Sequence, residues 1–413
     1  MSVLTNEERV DILSNIVNIN SVNDNEIEVA QYLKGLFEAH GIETEIDEIT
    51  QTRVNLIAKI GSGSPVVGIS GHMDVVSEGD CDAWKYPPFE LTETDGKLYG
   101  RGASDMKSGL AALAIALIEI KEQDLLKQGT IKFMATSGEE MEQLGSKQLY
   151  EKGYMDDVDA LIIAEPSETN IVYAHKGSMD YRITSYGEAA HSSMPIIGRN
   201  AIQPLMHFVL NIDEAYQEAL RTLNTSQLDF TQMVNHLGHR FGDKVDLNEA
   251  QKVLSGLVIS NTIFNGGNQV NSVPDRATAE FNIRTVPEYN NDDVKALFNH
   301  HLKAANNNGA DLKEDLYLDL DPVITTGQNT LIETGYQIAK DMFDKDILIT
   351  PMPGVTDASN LLKGKDENFP FLMYGPGSTA HQINEYVDKK TYLDFIEYFI
   401  SLLTQYTNKA AEK

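Results

Sequence analysis

Seven residues able to bind metal or move protons stand at the ends of short apolar runs. His72 and Asp74 follow "PVVGIS", and Asp105 follows "KLYGRGAS". Glu139 and Glu140 follow "TIKFMATS", Glu165 ends "ALIIAE", and His381 follows "FPFLMYGPGSTA". Imidazoles and carboxylates without thiolates suit catalytic Zn²⁺, Co²⁺ or Mn²⁺ better than a structural zinc site. Two histidines and three or more carboxylates suffice for a two-metal centre, with ions about 3.5–4 Å apart bridged by one carboxylate. A bridging carboxylate must offer both oxygens to open space, as a residue at a helix N-terminus such as Asp105 does. Any one of these acids is by default a solvated surface group; the shared address is what argues for chemistry. The pair Glu139–Glu140 raises a further question. Neighbouring carboxylates repel, and in a regular strand adjacent side chains point to opposite faces. Gly138 gives the chain a place to leave the strand before them.

The elements that must position these groups can be read from periodicity. "RVNLIAKI" (53–60), "PVVGIS" (65–70), "TIKFMATS" (130–137) and "ALIIAE" (160–165) read as strands. The segment from Met106 to Gln123 is apolar nearly all round and suits a buried crossover helix. Thr5 with Glu8 forms a capping-box pattern, and Val29, Tyr32, Leu33, Leu36 and Phe37 keep helical spacing up to Gly41. Alternating strands and helices imply an α/β layer with a largely parallel sheet. Ligands bind outside the carboxyl ends of such strands, so groups remote in sequence are expected to converge there. Past residue 176 the character changes. "MDYRITSYG" (179–187), "GLVISNTIF" (256–264) and "TAEFNIRTV" (278–286) look like strands, with a helical pattern from Ala201 to about Arg221. The expected architecture is an α/β catalytic domain in two parts, 1–176 and 291–413, interrupted by an α+β lid at 177–290.

Composition narrows the function. The 413 residues carry a formal charge of −29, from 33 basic and 62 acidic side chains. Phosphate recognition needs clustered Lys and Arg, so nucleic acid is not an expected partner. The apolar stretch Leu110 to Ile118 is far below the roughly 20 residues of a membrane span. The N-terminus shows no secretory pattern. The single Cys81 excludes an internal disulfide and fits a reducing cytoplasm. Flanked by Asp80 and Asp82, it lacks a cationic activator for nucleophilic work. In "GRGASD" Asp105 replaces the third glycine of a dinucleotide fingerprint, which argues against such a site.

The wider stretches "SGHMDVV", "GRGASDMKSGLAAL", "TSGEEMEQLGS", "LIIAEP" and "GPGSTAHQINEYV" resemble, in order and spacing, the M20 family of zinc aminoacylases and peptidases. Within it, the chain looks most like the branch of succinyl-diaminopimelate desuccinylases and acetylornithine deacetylases. The resemblance implies that His72, Asp105 and Glu165 hold one Zn²⁺. Asp105, Glu140 and His381 would hold a second, with Asp105 bridging and Co²⁺ or Mn²⁺ able to substitute. Asp74 would orient His72, and Glu139 would be the general base and acid. His191, in "GEAAHSS", would reach a neighbouring subunit's active site, so a homodimer through the lid would be required. Asn271, Arg284, Gly354 and Thr356 match substrate-contacting positions, and Lys176 would offer a point charge to a carboxylate.

The implied reaction is hydrolysis of a small N-acyl amino acid. The nearest case is removal of succinate from N-succinyl-LL-2,6-diaminopimelate in lysine and diaminopimelate biosynthesis. Two runs depart from the desuccinylase pattern. His175-Lys176-Gly177-Ser178 stands where many have Arg-Arg-Gly-Ser, and Gly354-Val355-Thr356 where Gly-Gly-Thr is common. Acetylornithine deacetylase and M20-type dipeptidase therefore stay open. An inactive metal-binding scaffold would require loss of the base or a ligand, and all are present.

Overall fold

The structure, a computed structural model, describes residues 2–241 and 246–410. The chain forms two compact units. One runs to Ala174 and takes in Thr325–Thr350 and the chain from Thr356; the other comprises His175–Ile324 and Pro351–Val355.

The first unit is built on an eight-stranded sheet. Its order is Glu43–Glu48, Val54–Ser62, Gly129–Thr136, Val66–His72, Ala160–Pro166, Phe371–Gly375, Asn170–His175 and Leu348–Met352. The four strands from Gly129–Thr136 to Phe371–Gly375 are parallel. Val54–Ser62 on one side and Asn170–His175 on the other run antiparallel to them, and Glu43–Glu48 pairs antiparallel with Val54–Ser62. Every residue of Val66–His72 and Gly129–Thr136 is buried. That is why these strands read as continuous apolar runs: both faces are covered. Helix Lys107–Glu122 supplies part of one cover and is buried at each position from Lys107 to Ile120. Its approach to the sheet is limited by backbone, since a Cβ on Gly109 would lie 2.0 Å from the Ala164 carbonyl oxygen. The expected Thr5–Glu8 capping box starts helix Asn6–Val17. Among the described residues, no helix is long and apolar enough to cross a membrane.

The second unit is α+β. Its four-stranded antiparallel sheet has the order Val258–Gly266, Arg276–Thr285, Gly177–Tyr186, Leu312–Leu320. Helices Ile202–Thr222 and Asn291–Asn307 pack on it around Tyr181, Phe208, Phe281 and Phe298. The sequence places the return to the first domain at 291. In the structure, helix Asn291–Asn307 stays with the second core, and Leu312–Leu320 pairs with Gly177–Tyr186, so the return comes at Thr325. A helix followed by a strand reads alike in either domain; pairing partners decide, and they are remote in sequence.

Gly109→Ala should destabilise the first unit by about 3 kcal/mol, because a carbonyl oxygen of a central strand cannot yield to the added methyl. Urea or thermal denaturation measures this, and an unchanged midpoint would refute the close helix–strand contact.

Candidate metal centre

His72 is the last residue of its strand, and Glu165 stands one before the end of the neighbouring strand. Thr136 ends the strand on the other side of His72, in register with it. Asp105 sits in the turn before helix Lys107–Glu122, and His381 lies in the loop after Phe371–Gly375. Because the four strands are parallel and adjacent, these positions meet along one sheet edge.

Asp105 presents its two oxygens to different imidazoles. Oδ1 lies 3.2 Å from His72 Nε2 and Oδ2 lies 3.4 Å from His381 Nε2. Glu165 Oε1 is 3.7 Å from His72 Nε2, and Glu140 Oε2 is 2.9 Å from His381 Nε2. Glu139 Oε2 stands 4.0 Å from His72 Nε2. Taken as sets lying within 4.8 Å, the donors group as His72–Glu139–Glu165 and His72–Asp105–Glu140. These sets cut across the expected division. The shorter pairwise distances discriminate better, and they associate Glu165 with His72 and Glu140 with His381.

The turn carrying the two glutamates begins at Gly138, with φ +72°, which glycine adopts without steric cost. A Cβ there would also lie 2.6 Å from Arg53 Nη2. The backbone N–H groups of Glu139 and Glu140 both donate to the Asp74 carboxylate, at 3.1 Å each. Asp74, expected to orient His72, meets it through the main chain: His72 Nδ1 is 2.9 Å from the Asp74 carbonyl oxygen and 3.6 Å from its Oδ1. The carbonyl holds the Nδ1–H tautomer, leaving Nε2 for the site. The carboxylate straps the glutamate turn, because two converging N–H donors claim it.

Two further acids belong here that sequence reasoning missed. Glu385 is fully buried and accepts from the N–H groups of Gly102 (3.1 Å), Ser104 (2.8 Å) and Asp105 (2.8 Å). It also pairs with Arg101 Nη1 at 2.5 Å. It thereby ties the His381 loop to the loop presenting Asp105. Its position inside "HQINEYV" was the available signal. Asp357 is buried and accepts from the Thr136 hydroxyl at 2.5 Å; burial pushes its carboxyl up to about 6. It directly follows Thr356, a position the resemblance marks, but was itself passed over.

The cluster is electrostatically crowded. Burial, then the charge of Glu165, pushes the Glu139 carboxyl well above its usual range. Burial also raises Glu165 well above its usual range, with Asp105 and Glu140 adding to the shift. Burial alone would lower the His72 imidazole, but Glu165, Asp105, Asp74 and Glu139 hold it well above its ordinary value. The hydrogen bond to Glu140 raises His381. Such a group of acids retains protons unless cations replace them. The donor chemistry, the two-faced Asp105 and the crowding together fit a pair of divalent cations.

The remaining expected residues lie in the second unit, apart from Thr356. His191 pairs with Ser272 in a small two-stranded sheet, and its Nδ1 is 2.8 Å from Ser193 Oγ. Asn271 is brought beside it, its carbonyl accepting the Ser192 N–H at 2.9 Å. Arg284 lies half-buried on the polar face of its strand, in register with Ser178 and Val258. Gly354 falls in the Pro351–Val355 segment. Thr356 is buried, its hydroxyl accepting the Ala358 N–H at 3.2 Å. Lys176 departs from its expected role. It is buried, and its Nζ donates to the carbonyls of Val253 (3.1 Å) and Gly256, capping helix Leu247–Ser255. Burial, then Arg284, lowers it to about 8. Basic side chains near a helix C-terminus commonly hydrogen-bond its last carbonyls in this way.

Residues 68–405 match peptidase family M20/M25/M40. A probable succinyl-diaminopimelate desuccinylase of Staphylococcus aureus strain MRSA252 is 46% identical over 409 residues, covering 98% of this chain and 99% of the relative. An M20 family metallo-carboxypeptidase from Sulfolobus solfataricus shares the fold with a TM-score of 0.82 at 23% identity, covering 97% and 99% of the two chains. A dinuclear metal-binding M20 peptidase of Bacillus subtilis shares it at 0.64 and 16% identity, covering 98% of each.

Glu139, Glu165, His72 and His381 all bind protons more tightly in the folded chain than their ordinary values imply. Each therefore contributes stability at low pH that is lost as pH rises towards its folded pKa. Without metal, the thermal midpoint should fall between about pH 5 and pH 8, the range above ordinary carboxyl values. Added Zn²⁺ should restore it at pH 8; a midpoint indifferent to chelator there would argue against a metal centre. Glu385→Ala should cost about 3–5 kcal/mol, since it leaves Arg101 and three N–H groups buried without their acceptor. Denaturant melts of the metal-free protein check this.

Proposed function

The chain belongs to peptidase family M20/M25/M40, and from that premise we propose that it is a dinuclear metal hydrolase removing succinate from N-succinyl-LL-2,6-diaminopimelate. The observation that carries the hydrolase reading is Asp105, with one oxygen towards His72 and the other towards His381, beside the Glu139 carboxyl. The substrate reading is supported by the name of relatives 44–46% identical over nearly the whole chain.

In this reading, His72, Glu165 and Asp105 would hold one Zn²⁺, and Asp105, Glu140 and His381 would hold the other, with Co²⁺ or Mn²⁺ as substitutes. Cations bound there would polarise the acyl carbonyl and make a nearby water more acidic. Glu139 takes the water's proton and returns it to the departing amine. Asp74 keeps the Glu139–Glu140 turn in place through the two N–H groups. Arg284 offers a planar fork to a substrate carboxylate, with Asn271, Gly354 and Thr356 as further contacts. His191, contributed across a homodimer, stabilises the developing oxyanion. The exposed side chains of Met194, Ile196 and Val270, near His191 and Asn271 in sequence, support a partner subunit covering this region.

One observation favours a second reading. Lys176 stands where many desuccinylases carry Arg, and its ammonium is already engaged by the Val253 and Gly256 carbonyls. A substrate with fewer carboxylates, such as acetylornithine or a simple dipeptide, would not need that cation.

A panel of N-succinyl-diaminopimelate, acetylornithine and simple dipeptides, assayed with Zn²⁺ or Co²⁺, tests both readings. The expected result is the highest kcat/KM on the succinylated substrate. Cleavage of dipeptides alone would eliminate the desuccinylase. Glu139→Gln should lower kcat by about 10²–10⁴-fold without loss of bound metal.

A further inference from the structure

The turn carrying Glu139 also carries an amide that reaches back to it. Gln143 is 1% exposed, and its Nε2 donates to Glu139 Oε1 at 3.2 Å. The other oxygen, Oε2, is the one 4.0 Å from His72 Nε2. One oxygen of the carboxylate is thus tied, and the other faces the metal ligands.

The amide's orientation is itself determined. Asn360, also buried, directs Nδ2 towards Gln143 Oε1 at 3.4 Å and towards Ser146 Oγ at 3.1 Å. An N–H donor on Gln143 Oε1 leaves Nε2 pointing at Glu139. The backbone is held as well. Gln143 N–H donates to the Gly138 carbonyl at 2.7 Å, and the Ser146 hydroxyl donates to the Gln143 carbonyl at 3.2 Å.

Gln143 occupies the left-handed region at φ +51°. Glycine or asparagine would sit there with less strain, which for other residues is of order 1–2 kcal/mol. A backbone outlier retained at a catalytic turn points to a role for its side chain. A residue needed only for the turn would be relieved by glycine; a residue needed for its amide would not.

We propose that Gln143 is a positioning residue for the Glu139 carboxylate, pinning Oε1 so that Oε2 alone meets the reacting water. The proposal rests on the reading of Glu139 as the proton carrier. A carboxylate fixed at one oxygen loses its freedom to rotate, so its reactive lone pair stays aligned. Misplacement of about 1 Å can cost up to about 100-fold in rate.

Gln143→Met keeps the length and removes the donor. Gln143→Asn tolerates the left-handed backbone but is one methylene too short to reach Glu139. Both variants are compared with the wild-type enzyme and with Glu139→Gln for kcat, KM, Zn²⁺ affinity by calorimetry, and thermal midpoint. The expected result is kcat lowered about 10- to 100-fold in both. KM should stay within about twofold, with Zn²⁺ affinity as in the wild type. A kcat for Gln143→Met within about twofold of wild type, with Glu139→Gln inactive, would overturn the positioning role and leave the base in place. Loss of Zn²⁺ affinity in both variants would assign Gln143 to the fold of the metal-binding turn and overturn it too. Turnover by Glu139→Gln would remove the premise itself.

Discussion

Acidic side chains crowded into a buried space must be held against their own repulsion. Asp74, Asp105, Glu139, Glu140, Glu165, Asp357 and Glu385 all gather at or behind one edge of the central sheet. In a low-dielectric interior, like charges at such separations repel strongly. The chain answers with fixed main-chain dipoles. Asp74 is claimed by the N–H groups of Glu139 and Glu140, and Glu385 by those of Gly102, Ser104 and Asp105. These two acids are satisfied by backbone and do not compete for the site. The groups left facing it, with the two imidazoles, have a need that protons or divalent cations can meet.

The geometry rests on a sheet with limited latitude. Parallel strands lie about 4.8 Å apart, and His72 and Thr136 finish in register. Helix Lys107–Glu122 meets the backbone near Ala164 at Gly109, and Gly375 approaches the same residue from the neighbouring strand. Ala164 directly precedes Glu165. The close backbone contacts that lock the helix and strands together therefore stand next to a proposed metal ligand. Rigidity at the strand ends keeps Asp105 between the two histidines.

The second unit obeys a different constraint. Its antiparallel sheet buries one face on an aromatic cluster and leaves the other polar, so Arg182, Glu280, Asn282 and Arg284 share that polar face. A cation there can pair with neighbours or wait for an anion. Lys176 shows the other fate: a buried ammonium close to a helix C-terminus is drawn to the carbonyls there.

Much of this protein is legible in one dimension. Strands buried on both faces are continuous apolar runs, the capping box is a local four-residue pattern, and the residues beside the runs carry metal-ligand chemistry. Local spacing determines such features, so sequence is enough to find them. Other features depended on contacts with no local signature. Glu385 and Asp105 are 280 positions apart, so the strap between their loops could not be read from either segment. The destination of the Lys176 ammonium, the Asp74 carboxylate's choice of the glutamate turn over His72, and the return of the chain at Thr325 rather than 291 share that origin. A residue's type sets which partners it can satisfy. Which partner it obtains is decided by distance in the folded chain, where backbone donors and acceptors of remote segments compete for it.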